Sequence, residues 1–113
     1  METMQVIEAF NEAFGRGDVD RVMALMTEDC VFENTYPPPD GERHTGQAPV
    51  RAFWERFFGD TPAPTFTTED AFAAGDRAVV RWIFSWDGGH VRGVDVFKVR
   101  DGKVAEKLSY VKG

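Results

Sequence analysis

The sequence predicts an α+β fold in which three N-terminal helices lie on one face of a strongly curved antiparallel sheet. Three observations carry the prediction. Apolar residues recur at helical spacing in the first half of the chain, and β-branched and aromatic runs fill the second half. Gly75-Asp76, Gly88-Gly89 and Asp101-Gly102 divide those runs where tight hairpins are needed. At 113 residues the chain is sized for a single domain, residues 1–113, with one core.

The first helix is predicted over residues 4–14, where Val6, Ile7, Phe10, Ala13 and Phe14 share a face and Gly15 and Gly17 supply the stop. Asp18 is a good N-cap for a second helix, in which Val19, Val22, Met23 and Met26 repeat at i, i+3, i+4 and i+7. The run from Cys30 to Tyr36 reads as a short strand that Pro37, Pro38 and Pro39 must end, because proline cannot continue a ladder. A loop follows. After Gly46, the residues Val50, Phe53, Trp54 and Phe57 give a third helical stripe closed by Gly59. Four strands are then expected, over residues 65–74, 78–87, 90–100 and 103–112.

Ten Phe and three Trp are many for so short a chain, and most of those rings must be buried. The net charge of −6 argues against nucleic acid as a partner, since phosphate binding rests on clustered cations. Cys30 has no second cysteine to bond and reads as a small buried hydrophobe. His44 and His90 sit in loop or turn sequence and read as solvated, and with nothing at ligand spacing no metal is expected. The opening residues show neither a basic leader nor an apolar signal core, and no run is long enough to span a bilayer, so the expectation is a cytoplasmic protein without a membrane partner.

Within the second of the four strands, Val80, Trp82, Phe84 and Trp86 form one stripe and Arg81, Ile83 and Ser85 the other. With three helices assigned to the concave face, the stripe bearing two Trp and a Phe needs another cover. A homodimer through the sheet face carrying Trp82, Phe84 and Trp86 is therefore expected. The alternative is that these rings pack on the chain's own helices.

The joint Phe14-Gly15-Arg16-Gly17-Asp18, the strand entry Glu28-Asp29-Cys30-Val31-Phe32, Gly46, and above all the run from Gly93 to Val104 resemble the SnoaL-like, ketosteroid-isomerase-like branch of the nuclear transport factor two-like superfamily. The resemblance covers nearly the whole chain. It implies a cone-shaped roll enclosing a deep, mainly apolar pocket for a small apolar molecule, with no cofactor. One fold of this kind hosts many activities, so the site residues decide.

Isomerases of this group use a Tyr in the first helix, a carboxylate base on the first strand and a protonated Asp on a late strand; by position these fall on Phe10, Asn34 and Asp95. Phe10 has no hydroxyl, and the amide of Asn34 is no general base, so the familiar isomerase route would need Glu33 or Asp70 instead. In the epoxide-hydrolase members, the Asn and Arg of the water-holding set match Asn34 and Arg81. Phe32 replaces their Tyr, and Ile83 and Ser109 stand where the two acids would be. Ser109 likewise fills the place of the acid that polyketide-cyclase members carry near the end of the last strand.

The polar groups predicted to point inward are Asn34, Arg81, Asp95, Lys107 and Ser109, with Phe10, Phe32 and Tyr36 as further ligand contacts. Asp95, flanked by Val94, Val96 and Phe97, should be paired or protonated, since an unpaired buried charge is costly. It is the candidate acid or base of a cofactor-independent isomerase or lyase, or else the buried partner of Arg81 or Lys107 in a binding module that catalyses nothing. Lys107 has a further option, extending its amine to water. Asp95→Asn separates the readings: a small change in stability marks a functional acid, and a loss of about 3 to 5 kcal/mol marks an ion pair. The resemblance favours the small change.

Overall fold

The computed structural model describes residues 2–60 and 65–113. Its elements run α1 (Thr3–Gly15), α2 (Val19–Ala24), β1 (Met26–Glu33), β2 (Arg43–Thr45), α3 (Gln47–Asp60), β3 (Thr65–Ala74), β4 (Arg77–Trp86), β5 (Gly89–Arg100) and β6 (Lys103–Val111). The six strands form one curved sheet in the order β2-β1-β6-β5-β4-β3. No helix among the described residues is long and apolar enough to cross a membrane.

The apolar stripe of α1 is buried as its spacing requires: Val6, Ile7 and Phe10 are inaccessible and Phe14 nearly so. Asp18 caps α2 by accepting from the Arg21 amide at 3.1 Å. That helix is shorter than its apolar pattern suggests, because Met26 already belongs to β1. Three carbonyls at the turn, those of Met23, Met26 and Thr27, accept from the Gln47 side-chain amide at 3.0 to 3.2 Å. One side chain at the start of α3 thus satisfies the orphan groups where α2 ends and β1 begins. Asp101 and Gly102 both have positive φ, 53° and 74°, which is the mirror-image turn that suits a two-residue hairpin.

Three features of the sheet depart from the sequence reading. The first strand begins at Met26 and not Cys30, and the segment expected as pure loop contains β2, which pairs with β1 through Phe32 and His44. The sheet is not wholly antiparallel: β1 runs parallel to β6, with Phe32 opposite Lys107 and an irregularity between Met26 and Val31. The stripe of Trp82 and Phe84 lies on the concave face against the helices, not on an outer dimer face. Val80 pairs with Asp95 and Trp82 with Gly93, and Trp82 and Phe84 both border the internal cavity. Trp86 continues the same stripe beyond the helices and is half exposed. The stripe of Val80, Trp82, Phe84 and Trp86 is wholly apolar, whereas the other carries Arg77, Arg81 and Ser85, so the apolar stripe turns inward, where burying its large rings stabilises most.

Trp82 owes its position to Gly93. A Cβ at residue 93 would lie 2.3 Å from the Tyr110 carbonyl oxygen and 2.5 Å from Trp82 Cζ2, so the indole occupies space that only a glycine leaves open. Gly93→Ala is expected to destabilise the fold by about 1 to 3 kcal/mol through overpacking. Gly89→Ala, where the nearest atoms belong to the half-exposed Trp86 ring at 3.0 Å, should cost less, as that ring can swing into solvent. Equal losses in urea melts would show that the contact with Trp82 is not what fixes Gly93.

Candidate functional site

The curved sheet and α1 and α3 enclose a cavity of about 170 Å³. Eight aromatic side chains line it: Phe14 from α1, Phe32 from β1, Phe53, Trp54 and Phe57 from α3, Phe66 from β3, and Trp82 and Phe84 from β4. Their contacts mix edge-to-face pairs, such as Phe14 with Trp54, with tilted and stacked ones, such as Phe53 with Phe57. Trp54 stands 4.2 Å from Phe32 and 5.0 Å from Phe14, and Phe66 stands 4.5 Å from Phe84, centroid to centroid.

The polar floor comes from neighbouring strands. Asp95 on β5 pairs with Ser109 on β6, and Lys107 lies two residues before Ser109 on the same face. The Lys107 ammonium sits 3.3 Å from Asp95 Oδ2 and donates to Ser109 Oγ at 3.1 Å. Ser109 in turn donates to Asp95 Oδ1 at 2.7 Å. Asp95 and Lys107 are both more than nine-tenths buried. The ammonium also faces three rings, Phe32 at 5.0 Å, Phe14 at 5.3 Å and Trp54 at 5.4 Å, whose electron-rich faces attract a cation. Asp95 and Lys107 are the only charged residues lining the cavity among the described residues, so its walls carry no net charge.

The structure brings together Asp95, Lys107, Ser109, Asn34 and Phe32, all of which border the cavity. Asn34 is less free than its position suggests: its Oδ1 accepts from the Thr35 amide at 2.8 Å and its Nδ2 donates to the Tyr36 carbonyl at 3.2 Å. Arg81 is corrected. It pairs in register with Val94, one residue out of phase with Asp95, and is exposed on the convex face. Phe10 is fully buried against Phe97 but lies behind Phe14 and does not border the cavity. Tyr36 is 70% exposed, also outside it.

Neither substitute base reaches the site. Glu33 is bound to Arg43 at 2.6 Å, and Asp70 is exposed on β3. His44 is not a solvated turn residue: it lies on β2 against the ring of Phe53, at 5.3 Å, with its Nε2 buried, 3.8 Å from Glu42 Oε1 and without a hydrogen-bond partner among the described residues. Cys30 is buried as expected, and that burial pushes its thiol up, away from the reactive thiolate. Outside the cavity, the Arg100 guanidinium and then the Thr27 hydroxyl hold the Asp29 carboxyl below its ordinary range.

The cavity-lining residues that sequence reasoning left out of the site are mainly Phe53, Trp54, Phe57, Phe66, Trp82 and Phe84. Their signal was present as helical and strand stripes, but such stripes read as core until the hollow between them is seen. Two of them, Trp54 and Trp82, carry buried indole N–H groups without a hydrogen-bond partner among the described residues.

With this geometry in place, the chain belongs to the SnoaL-like domain family, whose pattern matches residues 7–107. A solved NTF2-like protein of unknown function from Mesorhizobium loti is 40% identical, with a TM-score of 0.88 over 98% of this chain and 91% of that one. The fold is shared with a Kribbella flavida protein provisionally named a ketosteroid isomerase, at 20% identity and a TM-score of 0.84 over 98% and 78% of the two chains. It is shared as well with a Xanthomonas campestris protein provisionally named a polyketide cyclase, at 23% identity and 0.78 over 97% and 90%. No curated protein matches the chain.

Proposed function

We propose that the protein binds a small, planar, mainly apolar and uncharged molecule in this cavity, with an oxygen of that molecule directed to the Asp95–Lys107–Ser109 floor. The observation that carries the reading is the paired charge beneath aromatic walls. A ligand with a net charge would leave one ion unpaired in an apolar site, which is costly, whereas a carbonyl or hydroxyl can take the remaining N–H of Lys107 at no such cost. The unpartnered indole N–H groups nearby favour an oxygen-bearing ligand as well. Calorimetric titration with 2-naphthol should show binding, and Thr68→Trp, which fills the cavity from β3, should remove it. Heat that survives Thr68→Trp would place the binding elsewhere.

The finer reading is a cofactor-independent isomerase or lyase in which Asp95 moves a proton on the substrate and Lys107 steadies the developing oxyanion, in line with the names of the two distant structural neighbours. The competing reading is a binding module without chemistry, favoured by the two partners that already occupy the Asp95 carboxylate. Exchange of the α-hydrogens of 2-tetralone in D2O, followed by NMR, separates them. A rate about 100-fold or more above buffer that is lost in Asp95→Asn supports proton transfer; exchange at the buffer rate supports the binding module.

A homodimer is proposed through the convex face, not the face carrying Trp82. Phe72, Val79, Val96 and Leu108 follow one another across β3, β4, β5 and β6, and Val94 lies beside Tyr110. Phe72 and Tyr110 are each more than half exposed, a row of apolar surface that invites a cover. Sedimentation should report a dimer that Val96→Arg converts to monomer. A dimer unaffected by Val96→Arg would remove this face from consideration.

A further inference from the structure

We infer that Lys107 is an imine-forming amine, so that the pocket captures planar conjugated aldehydes covalently. The inference rests on the small-molecule reading of the cavity and goes beyond it. Burial favours the uncharged, nucleophilic amine of a lysine, and a neighbouring carboxylate, although it stabilises the resting ammonium, can accept the proton as the carbonyl carbon is attacked. Lys107 meets both conditions. It is buried, it borders the cavity, and Asp95 Oδ2 lies 3.3 Å from its nitrogen. The other three lysines of the sequence, Lys98, Lys103 and Lys112, do not border the cavity.

The steps balance without an oxidant or reductant. The Nζ proton passes to Asp95 Oδ2, freeing the nitrogen lone pair, which bonds to the aldehyde carbon as the carbonyl π pair moves onto oxygen. That oxygen takes the proton back from Asp95, the second nitrogen proton passes to Asp95 through Ser109, and the neutral carbinolamine results. Its hydroxyl then leaves as water, carrying the proton that Asp95 returns, while the nitrogen lone pair closes the C=N bond and the remaining nitrogen proton is released to Asp95 or retained on the iminium. The sum is amine plus aldehyde to imine plus water. Aromatic walls hold a planar ring against the nitrogen, which raises the local concentration of carbonyl carbon, and they exclude the water that would reverse the reaction.

The test uses 2-naphthaldehyde, which has no α-hydrogen and so cannot report enolate chemistry, together with cyanoborohydride to trap the imine as a secondary amine. Peptide mapping by mass spectrometry of the intact wild-type chain after reaction should place one adduct on Lys107. Lys107→Met should lose it, and Asp95→Asn should slow its formation by about 100-fold. Adducts distributed over Lys98, Lys103 and Lys112 with Lys107 unmodified would overturn the inference, and this result can be read on wild-type protein even where a variant folds poorly. If 2-naphthol binds in the cavity while Lys107 stays unmodified, the imine chemistry fails alone. If neither molecule binds, the small-molecule reading fails with it.

Discussion

Asp95→Asn is expected to cost about 3 to 5 kcal/mol, because it leaves the Lys107 ammonium buried without its counter-charge. This reverses the smaller change that family resemblance alone suggests, and the reason is the partner. An acid facing only a cavity loses little on becoming an amide, whereas one closing an ion pair 3.3 Å long loses the charge that justified burying the other. The three rings around Lys107 retain part of the stabilisation, since cation–π attraction is worth about 2 kcal/mol when desolvated, which places the expected loss toward the lower end. In a domain of this size such a loss lowers the melting temperature by roughly 10 to 20 °C. The double variant Asp95→Asn/Lys107→Met should recover at least half of it, because replacing both members of a buried pair is far less costly than removing one. Denaturant melts of the two singles and the double decide the matter. A loss below about 1 kcal/mol for Asp95→Asn would show that the pair does not stabilise the fold.

Trp54→Ala should be of similar size, about 3 to 5 kcal/mol. Trp54 is 2% exposed, and its ring touches Phe14, Phe32 and Phe53 while facing the Lys107 ammonium. Truncation would therefore enlarge the cavity and remove one of the three faces that hold the cation. Trp86→Ala is the matched control: its ring is half exposed and touches chiefly Phe84, so about 1 kcal/mol or less is expected. If the two truncations cost the same, the aromatic wall is not a packed structural unit. A second readout follows from the cation: Trp54→Ala should weaken 2-naphthol binding even where the protein remains folded.

Much of the fold was legible because hairpin chemistry and hydrophobic period agree in the second half of the chain. The expected strands over 65–74, 78–87, 90–100 and 103–112 differ by at most one residue at either end from β3, β4, β5 and β6. The first half was harder where one pattern served two elements. Met26 fits the helical stripe of Val19, Val22 and Met23 yet opens β1, a boundary set by Gln47 from a distance in sequence that no local rule covers. The three residues of β2 exist only because β1 offers them an edge.

The candidate site divided along the same line. Asp95, Lys107 and Ser109 stand out as polar residues in strand sequence, and the pairing of Asp95 with Ser109 brings them together. An inward Arg81 is incompatible with an inward Asp95: in an antiparallel pair with Val80 opposite Asp95, residue 81 must face the other way. The aromatic walls went unrecognised because periodicity reveals which residues turn inward and is silent about whether the space they enclose is filled.

The parallel pairing of β1 with β6 joins residues roughly eighty positions apart, Met26 with Val104. On a ribosome, α1, α2 and β1 emerge well before the strand that must lie beside β1, so their apolar faces wait for a partner still being synthesised. Pairing strands so far apart in sequence carries a larger loop-closure cost than any hairpin of the sheet. Asp95, Lys107 and Ser109 also come from the two strands that arrive last, so a nascent chain has aromatic walls before it has a polar floor.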